Sequence, residues 1–401
     1  MSAKMPLLCT LLILISLLTA CQAPSSEQTN SHSQTTSTDT VKQPNQALFI
    51  GTYTRKEGHV DGQAEGIYWY EMDGNTGAIQ QVTLAGDVLN PSFIALHPSG
   101  QYLYAVHEHG KEPDYPTGTV SAFKIDREQK QLQFLNRQSA GGDAPCHISV
   151  SPNGQYILVA NYVGGNVAML PIESDGRLGE ATALVQHEGK GQHPRQEAPH
   201  AHQVIAGPGD SLIYVCDLGI DQVRVYRPDY TTGQLQSTAT YLRTASGAGP
   251  RHLAFHPTLA VIYVLNELNG TIELFYPKPG PQVAFQSIST RPEGDSRPAA
   301  CADIHIHPSG QFLYASNRGE FNNIAMYKID PSSGTLQLIG HQSTQGQTPR
   351  NFVISPDGHF LLAANQDNGS IVSFRINGET GALEETGQIA EVPTPVCLKF
   401  E

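Results

Sequence analysis

The segment GQHPRQEAPHAHQ, residues 191–203, places His193, His200 and His202 close to one arginine and one glutamate. Imidazoles and carboxylates at this density can bind a metal ion, or can move protons and position a substrate. A metal site needs three or more converging ligands, and the segment has no HExxH or paired-cysteine spacing. We therefore predict no metal and no cofactor, although His200, His202 and Glu197 are candidate ligands. Hydrogen-bonded structural histidines and a catalytic or substrate-positioning role remain the alternatives.

A repeated pattern indicates which elements hold these side chains. Six segments each contain a short alternating strand, a turn with proline or glycine, and a second strand that ends in polar residues. They begin at Asn90, Ala144, Ala198, Gly249, Cys301 and Thr348. Third and fourth strands follow in most of them. Four short strands that recur about every fifty residues are typical of a β-propeller blade.

The seventh blade is predicted to be split between the two ends of the chain. ALFIGTYT (47–54) matches a second strand, EGIYWYEMD (65–73) matches a third, and TPVCLKF (394–400) matches a first. Pairing these segments removes two open sheet edges. We therefore predict an all-β fold over residues 46–401, a seven-bladed β-propeller whose last blade is closed by N- and C-terminal strands.

In such a fold, the starts of the first strands and the ends of the second strands meet at one mouth of the central channel. Polar residues at the starts are Ser92, Cys146, His147, His200, His202, Arg251, His252, Asp303, Arg350 and Asn351. Those at the ends are Tyr53, His107, Glu108, Asn161, Tyr162, Asp217, Asn266, Glu267, Asn317, Arg318, Asn365 and Gln366. An unpartnered buried polar group costs about 1–3 kcal/mol, so the ring favours a ligand-facing site. The four asparagines at the ends of the second strands also suit turns.

Period-two alternation predicts that His200 and His202 both face the channel. His193 and Arg195 are expected to lie in an exposed linker. Cys146 is expected to be a core thiol rather than a nucleophile.

The motifs GTYT, NPSF, PCH, ANY, QEAPHAH, DLG, GPRH, NEL, SNRG, TPRNF and PVCLKF occur in this order. Together they resemble the seven-bladed propeller lactonase family, which includes bacterial 6-phosphogluconolactonases and fungal carboxy-cis,cis-muconate cyclase. The resemblance covers residues 46–401. It implies hydrolysis of a sugar-acid lactone at an active site of His, Arg, Glu and Arg near the channel. By motif these are His202, Arg251, Glu267 and Arg318.

Lactone hydrolysis needs a base that activates water and a group that stabilises the oxyanion. We expect His202 or Glu267 to be the base. Arg251 and Arg318 are expected to bind the substrate anion and the oxyanion, and a structural ion pair is the alternative for Arg251 and Glu267. Further substrate-binding candidates are His200, Arg350, His147 and Asn317.

Two other functions remain open for the same funnel. One is cycloisomerisation of an unsaturated diacid, as in the muconate cyclase. The other is capture of a ligand without turnover, because propellers often serve as binding platforms. There is no GxSxG elbow and no phosphate-binding glycine loop. The expected partner is a small-molecule lactone or sugar acid.

The N-terminus predicts export. Lys4, an apolar run from Leu7 to Leu18 and the sequence LTAC ending at Cys21 indicate a signal segment over residues 1–20. LTAC resembles the bacterial lipobox, which implies cleavage before Cys21 and lipidation of that cysteine. A plain signal peptide with an incidental cysteine is the alternative. Residues 22–45 contain ten serines and threonines and no aromatic residue, so residues 21–45 are predicted to be a flexible tether.

Export has a consequence for the substrate. We expect the protein to be lipid-anchored to a bacterial membrane through Cys21 and to face the periplasm, with the choice of inner or outer membrane left open. Because 6-phosphogluconolactone is cytoplasmic, an exported enzyme is expected to act on another lactone, such as an aldonolactone made by periplasmic oxidation.

Net charge and cysteine content indicate which kinds of partner and which cysteine states to expect. The formal net charge of −13 argues against nucleic acid as a partner, because phosphate binding needs clustered lysine and arginine. Beyond Cys21 the chain has four widely spaced cysteines without a CxxC pair, namely Cys146, Cys216, Cys301 and Cys397. These are expected to be buried free thiols.

Overall fold

The computed structural model describes residues 43–110 and 116–401, so the predicted signal segment, Cys21 and most of the predicted tether lie outside it. The described strands form seven sheets in which four strands follow each other antiparallel, together with one separate hairpin. The first strand of each sheet contacts the first strand of the next, and these contacts return to the starting sheet. The predicted seven-bladed propeller is therefore confirmed.

The blades are numbered in chain order, and the strands of each blade are given from the channel outwards. Blade 1 consists of Ile94–Leu96, Tyr102–His107, Thr119–Asp126 and Gln131–Ser139. Blade 2 consists of Pro145–Val150, Tyr156–Asn161, Asn166–Pro171 and Ala183–Gln186. Blade 3 consists of Ala201–Ala206, Ile213–Asp217, Gln222–Asp229 and Gln234–Arg243, and the short strand Pro281–Val283 pairs parallel to its edge. Blade 4 consists of Pro250–Phe255, Ile262–Asn266, Thr271–Phe275 and Gln286–Ser289.

The remaining blades complete the ring. Blade 5 consists of Cys301–Ile306, Phe312–Asn317, Asn323–Ile329 and Leu336–Ser343. Blade 6 consists of Pro349–Ile354, Phe360–Asn365, Ser370–Ile376 and Leu383–Glu391. Blade 7 consists of Pro395–Phe400, Gln46–Thr52, Gly66–Met72 and Ile79–Asp87. The separate hairpin pairs Lys56–Glu57 with Val60–Asp61, and a 3-10 helix spans Leu218–Ile220. Among the described residues, no helix has the length and apolar character to cross a membrane.

Blade 7 joins the two ends of the chain as the sequence predicts. Leu48 pairs with Phe400 and Ile50 pairs with Leu398 in an antiparallel ladder. Both second-strand residues are fully buried, because they pack against the neighbouring blades. The pairing therefore closes the ring with apolar contacts as well as with backbone hydrogen bonds.

The recurring His-Pro and Ser-Pro turns also have a role between blades. His97 Nε2 donates to the carbonyl of Gly154 and His307 Nε2 donates to that of Gly358, at 2.9 Å in each case. Each acceptor lies in the equivalent turn of the next blade. A Cβ on Gly154 would meet the His97 ring at 2.7 Å, and its φ is +71°. The repeated turn motif thus links successive blades and requires glycine at the contact.

Candidate active site

The first strands of blades 2, 3, 4 and 6 share a β-bulge at their second residue. The residues on either side pair with the adjacent strand, whereas the residue between them does not. The unpaired residues are Cys146, His202, Arg251 and Arg350. A bulge changes the direction of a side chain relative to the regular alternation. All four side chains line one cavity at the channel mouth.

This mouth cavity has a volume of about 680 Å³, which suits a small organic ligand. Five of the eight predicted catalytic and substrate-binding residues line it, namely His202, Arg251, Glu267, Arg318 and Arg350. The structure therefore brings together the complete His, Arg, Glu and Arg set that the motifs indicate.

Glu267 lies at the centre of an arginine cluster. Its Oε2 accepts a hydrogen bond from Arg251 Nη1 at 2.6 Å, and its Oε1 accepts one from Arg195 Nη1 at 2.6 Å. Arg318 Nη2 lies 3.1 Å from the same Oε1. The carboxylate is buried, so these short charged contacts act in a medium of low polarity, where they are stronger than in water.

The electrostatics of this cluster argue against Glu267 as a base. Burial alone raises the pKa of Glu267, but the charges of the three arginines outweigh burial and hold the pKa below its ordinary value. The carboxylate is therefore ionised at neutral pH and has little tendency to accept a proton. Burial also lowers the pKa of Arg318 to about 10, which leaves this guanidinium protonated at neutral pH.

A second polar group lies around Tyr53, at the end of the second strand of blade 7. The Tyr53 hydroxyl donates to Glu108 Oε2 at 2.7 Å and accepts from Arg350 Nη2 at 3.0 Å. Ser92 Oγ donates to the same Glu108 oxygen at 2.6 Å. Burial raises the pKa of Tyr53 well above its ordinary value, so the hydroxyl keeps its proton. The group fixes Arg350 at the cavity wall.

His202 is the histidine of the predicted catalytic set and lies in the cavity wall. Burial, and then the charge of Arg251, hold its pKa well below the ordinary value, so the ring is neutral at neutral pH. Its Nδ1 is enclosed and has no hydrogen-bond partner among residues 43–110 and 116–401. An anionic substrate bound to the arginines would raise this low pKa and so increase the tendency of the imidazole to accept a proton from water.

The other three predicted residues lie elsewhere. His200 is buried behind the cavity wall, where its ring stacks on Tyr162 at 4.6 Å. Asn317 is buried and its Nδ2 donates to the carbonyl of Thr290 at 2.8 Å, as the alternative of a turn residue predicts. His147 follows the bulge and lines a second cavity at the opposite end of the channel. Both His200 and His202 contact the Tyr162 ring, but His202 lines the mouth cavity and His200 does not. The bulge at His202 interrupts the regular alternation between them.

Arg195 is the main residue that the sequence interpretation missed. Half of its side chain is exposed, as a linker position suggests. Its guanidinium nevertheless reaches Glu267 and also donates to the Tyr162 hydroxyl at 3.0 Å.

Glu108 was predicted only as one of the polar residues at the ends of the second strands. Its position directly after a second strand, equivalent to that of Glu267, was the available signal.

The cysteines behave as expected. Cys146, Cys216, Cys301 and Cys397 are buried and form no disulfide within the described residues. Burial raises the pKa of Cys146, which lines the cavity. Its thiol is therefore protonated at neutral pH and is a poor nucleophile.

Comparison with known proteins agrees with this geometry. The model of the lactonase family with a 7-bladed β-propeller matches residues 47–400. The chain belongs to this lactonase family. A member from Bacillus subtilis named 6-phosphogluconolactonase is 36% identical over 354 residues, which are 88% of this chain and 97% of the relative. A 6-phosphogluconolactonase from Formosa agariphila is 32% identical over 345 residues, 85% of this chain and 95% of the relative.

A solved structure supports the same family assignment. The periplasmic gluconolactonase PpgL of Pseudomonas aeruginosa is 31% identical and superposes with a TM-score of 0.83. The match covers 89% of this chain and 99% of that chain. The family resemblance inferred from the eleven motifs is thus confirmed.

Proposed function

We propose that this protein is a lactone hydrolase that acts on the lactone of a sugar acid in the mouth cavity. The observation that carries the proposal is the convergence of Arg195, Arg251 and Arg318 on Glu267, in the same cavity wall as the neutral His202. The named activities of the relatives support the same reaction class.

In the proposed mechanism His202 is the general base. A water molecule attacks the lactone carbonyl carbon while His202 takes one of its protons. Guanidinium N–H groups of Arg251 and Arg318 stabilise the oxyanion that forms. The ring C–O bond then breaks, and the leaving oxygen takes the proton back from His202. General base catalysis of this kind contributes about 10²–10⁴-fold to the rate.

Glu267 has an organising role in this mechanism. Arginine side chains repel each other, and three of them share its two carboxylate oxygens. By neutralising part of their charge, Glu267 holds the guanidinium groups at the same wall. The lining of the cavity carries four arginines, Arg195, Arg251, Arg318 and Arg350, and four carboxylates, Glu57, Glu108, Glu267 and Asp367. Arginine forms bidentate hydrogen bonds with carboxylate and phosphate groups, so the four arginines of the lining favour a substrate or product that carries such a group.

We further propose that the protein is exported and lipid-anchored through Cys21, and that it faces the periplasm. The lipobox-like sequence LTAC supports this location, and the Pseudomonas relative is described as periplasmic. An aldonolactone without phosphate is then the more accessible substrate.

The test offers glucono-δ-lactone and 6-phosphogluconolactone to the purified protein and follows acid release with a pH indicator. Activity of the wild type that falls at least about 100-fold in His202→Ala supports the proposal. Arg127→Ala is a control for the loss of an ionisable side chain, because Arg127 is half exposed and ion-paired with Glu401 and does not line the cavity. Binding of both lactones without turnover would instead identify a ligand-binding propeller. In a parallel assay with an unsaturated diacid, turnover of the diacid and of neither lactone would identify a cycloisomerase.

A further inference from the structure

Two histidines of neighbouring blades meet inside the channel beneath the mouth cavity. His202 in blade 3 and His252 in blade 4 have ring centroids 5.2 Å apart and an interplanar angle of 62°. His202 lines the mouth cavity, and His252 lines the cavity at the opposite end. Both rings also line a small void between the two cavities.

This void has the size and lining of a site for one water molecule. Its volume is about 10 Å³, close to the minimum that holds a single water. Besides the two histidines, its walls include Ser92, Glu108 and Arg251. A buried water needs about two to four polar partners, and these walls provide them.

Each of the two rings has an enclosed nitrogen without a partner. These are His202 Nδ1 and His252 Nε2, which make no hydrogen bond within the described part of the chain. Leaving such atoms unpaired costs about 1–3 kcal/mol each. A water between the rings satisfies both atoms at once.

The contact between His252 and Asp303 determines the tautomer of His252. Asp303 Oδ1 lies 2.8 Å from His252 Nδ1, and Asp303 Oδ2 lies 3.0 Å from His305 Nε2. Burial alone raises the pKa of Asp303, but His305 and His252 hold the pKa well below its ordinary value. An ionised Asp303 can only accept, so His252 carries its proton on Nδ1 and presents Nε2 as an acceptor.

We propose that Asp303 and His252 are positioning residues for His202 and act through one enclosed water. The water donates a hydrogen bond to His252 Nε2 and accepts one from His202 Nδ1–H. His202 Nε2 is then the nitrogen with the free lone pair. This inference rests on the proposed role of His202 as the base.

The arrangement also supports the charge that develops on His202. When Nε2 takes a proton from the attacking water, the imidazolium keeps its hydrogen bond from Nδ1 to the enclosed water. The positive charge is then linked by two hydrogen-bonded groups to the negative charge of Asp303. No net proton leaves, because His202 returns its proton to the leaving ring oxygen. Without this link, burial and then the charge of Arg251 disfavour the imidazolium, as the low pKa of His202 indicates.

Asp303→Asn tests the proposal, because it removes the charge and offers a donor to His252 with almost the same shape. We expect kcat to fall about 100-fold or more while KM changes less than about threefold. His305→Gln is the matched control, since it alters a contact of the same carboxylate but leaves the pair with His252; its kcat should stay within about threefold. Folded Asp303→Asn protein with wild-type kcat would overturn the proposal.

A second measurement does not depend on activity or on the folding of a variant. Nitrogen NMR of histidine-labelled wild-type protein reports which ring nitrogen of His202 and His252 carries the proton. The proposal requires Nδ1–H on both rings, and a proton on Nε2 of His202 would overturn it. If no lactone is hydrolysed but both tautomers are as expected, the positioning arrangement stands and the proposed function fails.

Discussion

Arg195 and Glu267 form a 2.6 Å ion pair between segments that lie 72 residues apart in the chain. The linker before blade 3 supplies the arginine, and the end of the second strand of blade 4 supplies the glutamate. The pair therefore extends the arginine cluster around Glu267 from the channel wall to the exposed rim. It makes a loop residue part of the site.

Replacing Arg195 with alanine is expected to weaken substrate binding more than folding. Because half of the side chain is exposed, the free energy of unfolding should change by about 1 kcal/mol or less. Loss of one guanidinium from the rim should raise KM for an anionic lactone about tenfold, which corresponds to about 1.4 kcal/mol. Initial rates and urea unfolding measure both effects. An unchanged KM, equal to that of the control Arg127→Ala, would show that Arg195 is a surface contact only.

Glu267→Gln is expected to reduce both stability and activity. The substitution leaves buried guanidinium groups without their counter-charge, which typically costs about 3–5 kcal/mol. It should also lower kcat/KM by about 100-fold, because Arg251 and Arg318 lose their common anchor. Thermal unfolding and lactone assays of Glu267→Gln and Arg251→Ala separate the alternatives. Full activity with reduced stability in both variants would make the pair purely structural.

Acid is expected to destabilise the protein well before its carboxylates are protonated. Burial lowers the pKa of His107 from 6.5 to about 3. The unfolded chain therefore binds this proton at a higher pH than the folded chain. The free energy of unfolding falls as pH decreases from about 6.5 to about 3, by up to about 1.4 kcal/mol per pH unit for each such group. His147 and His202 shift in the same direction.

Urea unfolding at several pH values between about 7 and 4 measures this slope. His107→Gln should flatten it by the contribution of one group, whatever its effect on stability at neutral pH. An identical slope in the variant would mean that His107 titrates in the folded protein as it does in the unfolded chain.

Cys146→Ala is expected to keep lactone hydrolysis within about threefold of wild type. Cys146 occupies the same bulge position as His202 and Arg251, which by itself suggests chemistry. Its Sγ instead donates to the carbonyl of His202 at 3.4 Å, and burial raises its pKa. Steady-state kinetics check the expectation, and a loss of more than 100-fold would indicate a thiol nucleophile.

Cys21→Ser is expected to move the protein from the membrane fraction to the soluble fraction. The substitution removes the sulfur that would carry the proposed lipid, whereas Cys9→Ser leaves Cys21 in place and is the matched control. Detergent phase partition and metabolic labelling with a fatty acid measure the outcome. Equal partition of both variants would contradict a lipid anchor at Cys21.

The sequence by itself determined the architecture. Period-two alternation, turn residues and a repeat of about fifty residues specify four-stranded blades, because these patterns are local and recur seven times. The split seventh blade follows from the same patterns at the two ends of the chain. The motifs also indicated His202, Arg251, Glu267 and Arg318, which do share one cavity.

Only the tertiary structure decided which side chains face the substrate cavity. Arg251 and His252 are adjacent in sequence, yet they line cavities at opposite ends of the channel. The bulge leaves Arg251 unpaired between Pro250 and His252, and this register depends on pairing with the neighbouring strand. Local sequence patterns likewise did not predict the position of Arg195 in the site, because its partner Glu267 lies in another blade. Long-range pairing, rather than residue type, assembled the site.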